Sequence, residues 1–434
     1  MKTMHRSTLL LILLTCLLLP QSAEALPGFA RQMGMECSAC HAQNMPMLNR
    51  FGREFARSGF TMSSMSGPET LIEGSDIGLG LPAVLNGSAV LRASYTRSSD
   101  DGNSTGEATG TERGELGVFD RSVLFFGGRF AENVGGIAKL SANNSSTSSG
   151  GTFGLSGKVT IAYDMFEGIG GITLYSEGGT GPFSGMESYN TGLYTPLTMF
   201  QNSKKTNAAQ ATGVGAGAAT GLQAYYGGAG LFASLGLYVP AQNSAGLDIG
   251  TSLIPFGRIA YEIMVGSWTL TPGAYGIKGS AKMSQEVLSG NPTGALVSIE
   301  KEAYGLDLQA VGTLADMAVM LILQGVLKNE TTFDPSTITH LGNLRAEDDR
   351  AVSLEFQLNP ISRLGLKAAF LGYDTKDVSV GQGQRIIDKN AYSFGINYGF
   401  RQNLLFDVEY TYTDPKDSTF DTSSDIYLMA TVAF

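Results

Sequence analysis

Throughout residues 81–434, apolar side chains recur at every second position in long runs. In Val352-Ser353-Leu354-Glu355-Phe356-Gln357-Leu358-Asn359, one face is Val, Leu, Phe and Leu, and the other is Ser, Glu, Gln and Asn. Phe406, Val408, Tyr410 and Tyr412 alternate with Asp407, Glu409 and Thr411. A period of two is that of a β-strand whose two faces meet different surroundings. Soluble sandwiches share this period. Here, however, the runs are about 9–12 residues long, which is what a tilted strand needs to cross a bilayer. Beyond the N-terminal leader, no apolar run is long enough for a membrane-spanning helix.

The runs predict an all-β chain: an outer-membrane barrel of about 16 antiparallel strands. Strands are expected near 85–97, 118–130, 134–142, 157–166, 170–177, 219–227, 230–239, 256–267, 268–279, 301–313, 316–328, 350–359, 363–373, 391–400, 404–413 and 425–434. Tight turns such as 131–134, 167–170, 227–230 and 359–362 alternate with the long polar stretches 98–117, 178–218, 240–255, 280–300, 329–349, 374–390 and 414–424. Short periplasmic turns and long external loops are the barrel pattern, and an even strand count puts both termini in the periplasm. The last run, Ile426, Leu428, Ala430, Val432 and Phe434, resembles the terminal strand of bacterial outer-membrane proteins. Glu262, Asp307, Glu355, Asp407, Glu409, Arg258 and Lys367 fall on the polar, lumen-facing side. They imply a solvated, weakly cation-selective interior. The acidic run Glu347-Asp348-Asp349, on the stretch carrying His340, reads as a solvated charge cluster.

Residues 1–25 read as a signal peptide, with a basic start at Lys2, His5 and Arg6, an apolar stretch Leu9–Leu19, and the cleavage pattern Ala23-Glu24-Ala25. That places the rest outside the inner membrane. The whole chain carries a formal charge of −10, which argues against a nucleic-acid partner. The charge is uneven: residues 26–66 are net +2 and residues 67–434 net −13.

Residues 26–80 hold the chemistry. Cys37-Ser38-Ala39-Cys40-His41 has the spacing of a c-type haem attachment site. Cys37 and Cys40 would each form a thioether to the haem, and His41 would supply an axial ligand to the iron. The chain has three cysteines and three histidines, and Cys16 and His5 leave with the leader, so the motif is concentrated. A zinc site lacks a second Cys/His pair, and a thioredoxin-type disulfide lacks its βαβ setting. The segment is too short for a core of its own, so one covalent haem c should supply part of it, and the basic segment suits a plug against the acidic lumen. A helix is expected from Pro46, with Leu48, Phe51 and Phe55 as one stripe against the haem or the barrel wall, and Gly59 ending it. Methionine is the plausible distal ligand: Met62 and Met65 lie far enough past the motif to reach the opposite face, and Met62 is the candidate.

Leu26-Pro27-Gly28-Phe29-Ala30-Arg31-Gln32-Met33-Gly34-Met35-Glu36-Cys37-Ser38-Ala39-Cys40-His41, with Pro46 to Phe55 and Gly59 to Met62, resembles the fused outer-membrane monohaem cytochrome–porins of iron-oxidising bacteria. The resemblance implies one haem segment joined to a porin-like barrel, with Cys37, Cys40 and His41 as the haem-binding residues. It also implies an Fe(II)-oxidising oxidoreductase. Extracellular Fe(II) would be the donor, a periplasmic electron-carrier cytochrome the acceptor, and outer-membrane lipid the surroundings. Two other readings suit the same residues: a diffusion porin whose haem senses or gates, and a conduit exporting electrons to an external acceptor.

Overall fold

The computed structural model describes residues 28–35, 37–41, 48–62, 86–100, 113–119, 122–143, 152–185, 199–241, 253–284, 296–329, 348–375, 379–380, 384–385, 388–401, 403–417 and 420–434. The leader, Pro46, His340 and Glu347 lie outside these residues.

The strands are β1 (Gly87–Asp100), β2 in two pieces (Arg113–Val118 and Val123–Ala131), β3 (Val134–Asn143), β4 (Thr152–Met165), β5 (Gly168–Glu177), β6 (Ala219–Gly228), β7 (Leu231–Val239), β8 in two pieces (Ile254–Tyr261 and Ile263–Val265), β9 (Trp268–Ser284), β10 (Leu296–Leu314), β11 (Met317–Asn329), β12 (Asp349–Ile361), β13 (Leu364–Thr375), β14 (Lys389–Arg401), β15 (Leu404–Pro415) and β16 (Ser423–Ala433). Each pairs antiparallel with the next, and β1 pairs with β16 from Val90↔Ala433 to Asp100↔Ser423. The sheet is therefore a closed barrel of 16 strands, and closure leaves no open edge. Ala89 and Phe434 complete the seam with two backbone hydrogen bonds of 2.7 and 2.9 Å.

The start of β1, the end of β16 and every tight turn lie at one end of the barrel. At Ala315-Asp316, φ values of 48° and 63° give the doubly left-handed turn that suits the twist of two adjoining strands. By the rule that short turns face the periplasm, this is the periplasmic end.

The faces are inverted relative to a soluble protein. On β12, Val352 and Leu354 are 53% and 38% exposed, while Glu355 and Gln357 are 2% and 1%. Leu235, Leu306, Phe394 and Val408 likewise point outward. An outward apolar surface of this extent matches a hydrocarbon environment. No described helix is long and apolar enough to cross a membrane.

The structure corrects three expectations. Strands β4, β9 and β10 outrun the predicted 157–166, 268–279 and 301–313, and residues 113–117, expected in a loop, pair with β1. Backbone pairing continues past the hydrocarbon layer, with register unbroken to Ser284↔Leu296, although the sequence there no longer alternates. The stretch 178–218, expected as an external loop, turns inward over its described residues. Phe183 sets its ring 5.0 Å from both Phe256 and Tyr275, and Met199 and Phe200 pack on Met320, Ile322 and Ala369. A short helix, Ala208–Ala211, is capped by Asn207 and donates the Ala208 N–H to Ser353 Oγ at 2.9 Å. Finally, the inner wall is less open and less anionic than its composition implies. Arg258 grips Asp307 with two bonds of 2.6 and 3.0 Å, and Lys367 bridges Asp407 and Glu409 at 2.8 and 2.6 Å.

Candidate functional site

The Cys–His motif belongs to a segment of three short helices, α1 (Gly28–Met33), α2 (Cys37–Cys40) and α3 (Arg50–Arg57), and lies on the second. α2 is a single turn, so positions 37 and 40 are one turn apart on one face and position 41 follows directly. Cys40 is in no disulfide and half-buried, and His41 is half-buried too. A helical turn carrying Cys and His at this spacing has the donor set that c-type haem attachment requires.

α3 is built to hold that turn. It starts at Arg50, not at Pro46, because Asn49 caps it by accepting the Gly52 N–H at 2.9 Å. The same Asn49 donates its side-chain N–H to Ala39 O at 2.9 Å, and its backbone N–H to Cys40 O at 2.9 Å. Leu48 pairs as an antiparallel bridge with His41. Gly52 lets the two backbones meet: a Cβ there would lie 2.0 Å from Cys40 O. Replacing Asn49 with Ala should therefore cost at least about 1 kcal/mol. Limited proteolysis of the segment in the intact barrel should read this as faster cleavage.

The far end of α3 closes as the sequence suggested. Ser58 is the last half-helical residue, and Gly59 follows at φ 71°. Gly59 N–H reaches Ala56 O and Phe60 N–H reaches Phe55 O, the paired bonds of a Schellman cap. The accompanying apolar contact is Phe55 against Phe60, ring centres 5.8 Å apart. Phe29 stacks on Phe60 at 5.0 Å. With Met33 and Ala56, these rings form a small core that Leu48, Phe51, Met62 and Ile137 of β3 cover. The Leu48–Phe51–Phe55 stripe thus packs on this core and the barrel wall. Gln32 ties α1 to the end of α3, donating to Phe60 O at 2.7 Å and Met62 O at 2.8 Å.

The segment sits inside the periplasmic mouth. Gly59 rests against Thr160 and Ala162, inward residues of β4. Gly135 of β3 faces Gly59 O so closely that a Cβ would stand 2.1 Å away. Tyr225 of β6 donates its hydroxyl to Arg57 O at 2.5 Å. Arg53 is only 2% exposed and forms an ion pair with Glu262, between the two pieces of β8; Arg50 approaches the same carboxylate at 3.5 Å. Sequence reasoning named Glu262 as inward-facing and the segment as basic, but not this pairing. The signal available was a net +2 segment before a net −13 barrel.

No protein-family model matches the sequence, and no curated protein matches it. Among solved structures, the outer membrane channel DcaP of Acinetobacter baumannii is similar, with a TM-score of 0.51 and 12% identity over 81% of this chain and 97% of that one. The anion-selective porin from Comamonas acidovorans is similar with a TM-score of 0.47 and 12% identity, over 81% and 99%. OmpT of Vibrio cholerae gives a TM-score of 0.45 and 11% identity, over 81% and 97%. At such identity the likeness concerns the fold, and it agrees with the outward apolar face and the closed sheet. The chain is a sixteen-stranded outer-membrane β-barrel.

Proposed function

We propose that this barrel is an outer-membrane electron-transfer protein carrying one covalent haem at Cys37, Cys40 and His41. The observation that carries the reading is the seating of the motif: the Cys37–His41 turn is anchored to a segment held inside the periplasmic mouth. A haem bound there would supply a single one-electron centre. The chain's own residues do the rest. Asn49 and Gly52 fix the backbone of the turn. Arg53, Glu262 and Tyr225 hold the segment to the wall. Met62 remains the distal candidate, with its carbonyl fixed by Gln32. Outer-sphere transfer needs no acid, base or nucleophile, so no further catalytic constellation is required. Extracellular Fe(II) is the proposed substrate and a periplasmic carrier cytochrome the proposed acceptor; both rest on the sequence resemblance. Haem staining of the denatured protein tests the cofactor, and should vanish in Cys37→Ala and Cys40→Ala. Stoichiometric Fe(II) should then reduce the haem, followed by its absorbance. Haem that stays oxidised across a range of pH sinks the iron reading alone.

A second reading, a diffusion porin, is favoured by the fold likeness to a protein described as an outer membrane channel. It predicts conductance in planar bilayers that persists after Cys37→Ala. The electron-transfer reading predicts little conductance, since plug and inward segment both occupy the lumen.

A further inference from the structure

We propose that Glu262 and Arg53 form a positioning pair that fixes the His41 turn and tunes the reduction potential of the haem bound there. The inference rests on the cytochrome reading above. The pair joins wall to motif by a continuous chain of bonds. Glu262 is anchored by its own backbone, whose N–H donates to Gly230 O at 2.8 Å in the β6–β7 turn. Its side chain is 6% exposed and that of Arg53 3%. Arg53 Nη1 reaches on to Leu48 O at 3.0 Å, and Leu48 is the residue bridged to His41. The next backbone bond, Asn49 N–H to Cys40 O, lands on the motif itself. A rigid wall carboxylate thus sets the position of a plug arginine, and that arginine sets the chain segment lying alongside the axial histidine.

Two opposite charges near a redox centre, both out of water, act on it with opposite sign. A cation favours the reduced, less positive iron and raises the potential; an anion lowers it. While paired, they largely cancel. Removing Glu262 leaves Arg53 without its buried counter-charge; removing Arg53 leaves Glu262 only the solvent-exposed Arg50, 3.5 Å away, which offsets it weakly.

The test is a redox titration of the purified, haem-loaded full chain and two variants. Glu262→Gln should raise the midpoint potential and Arg53→Gln should lower it, with covalent haem retained in both. Glu262→Asp, which keeps the charge, should return the potential towards that of the parent. Shifts in the same direction, or no shift, would overturn the proposal, because a merely structural pair loosens the site the same way from either side. Should Glu262→Gln fail to insert as a barrel, Arg53→Gln decides alone: a fall supports the pair, and an unchanged or raised potential overturns it. Absence of covalent haem from the parent protein sinks the cytochrome reading and the pair with it. That outcome is distinct from a haem-bearing parent whose variants do not shift.

Discussion

Lys367→Met should destabilise the barrel by about 3–5 kcal/mol, the cost of leaving buried charges unpaired. Lys367 lies on β13 with its side chain 1% exposed. Its ammonium donates to Asp407 Oδ1 at 2.8 Å, Glu409 Oε1 at 2.6 Å and Met199 O at 2.8 Å. Every donor position is used, and both carboxylates are almost fully enclosed, at 4% and 2% exposure. Methionine matches the length and volume of lysine, so no cavity opens; what is lost is the compensation of two anions. The effect should also reach the lumen. Glu409 accepts the Gln201 N–H at 2.8 Å, and Lys367 sits 5.1 Å from the centre of the Phe200 ring. One ion cluster thus anchors the inward segment 199–201 to the wall. Urea unfolding, followed by the gel-mobility difference between folded and heat-denatured barrel, measures the first effect. Single-channel recording measures the second, as conductance larger than that of the parent. A variant with unchanged stability would show that water, not Lys367, satisfies these carboxylates.

Gly135→Ala should loosen the Cys–His segment from the barrel. The added Cβ would stand 2.1 Å from Gly59 O and 2.8 Å from Gly128 O, both backbone atoms that cannot swing aside. Overpacking of this kind costs about 1–3 kcal/mol. Borne by the docking contact, that is roughly fivefold to a hundredfold in the ratio of docked to undocked segment. Proteolysis within residues 28–62 should accelerate accordingly. Part of the strain falls on the β2–β3 pairing through Gly128, so the comparison needs a second background. In a barrel lacking residues 26–62, the same substitution should cost measurably less, since the Gly59 contact is gone. Equal costs in both backgrounds would place the strain in the sheet and remove this evidence for a seated plug.

Much of the barrel was legible because its alternation is a local property. β12 reads Val-Ser-Leu-Glu-Phe-Gln-Leu-Asn, and the structure leaves the first member of each pair exposed or half-buried and buries the second. The tight turns were legible too, since few residues can close a two-residue connection. The capping of α3 was half legible: Gly59 was readable as a terminator, whereas Asn49, a strong N-cap residue four positions before Arg53, was passed over in favour of Pro46. The inward course of 199–217 was not legible. Its glycines and alanines carry no period, and what draws it into the lumen are partners more than a hundred residues away, Ser353, Glu409 and Asp425 among them.

Sequence alone determined the class of the fold, and it carries the motif on which the proposed chemistry rests. Cys37, Cys40 and His41 are meaningful at their spacing wherever they stand, and a period of two over membrane-length runs leaves few folds but a barrel. Tertiary structure decided where those two parts meet. Burial of Arg53, the partner of Glu262 and the tolerance of Gly135 for Gly59 depend on contacts between residues some 75 to 210 positions apart. No local pattern encodes such pairings, because they arise only when the closed sheet brings its wall around the segment.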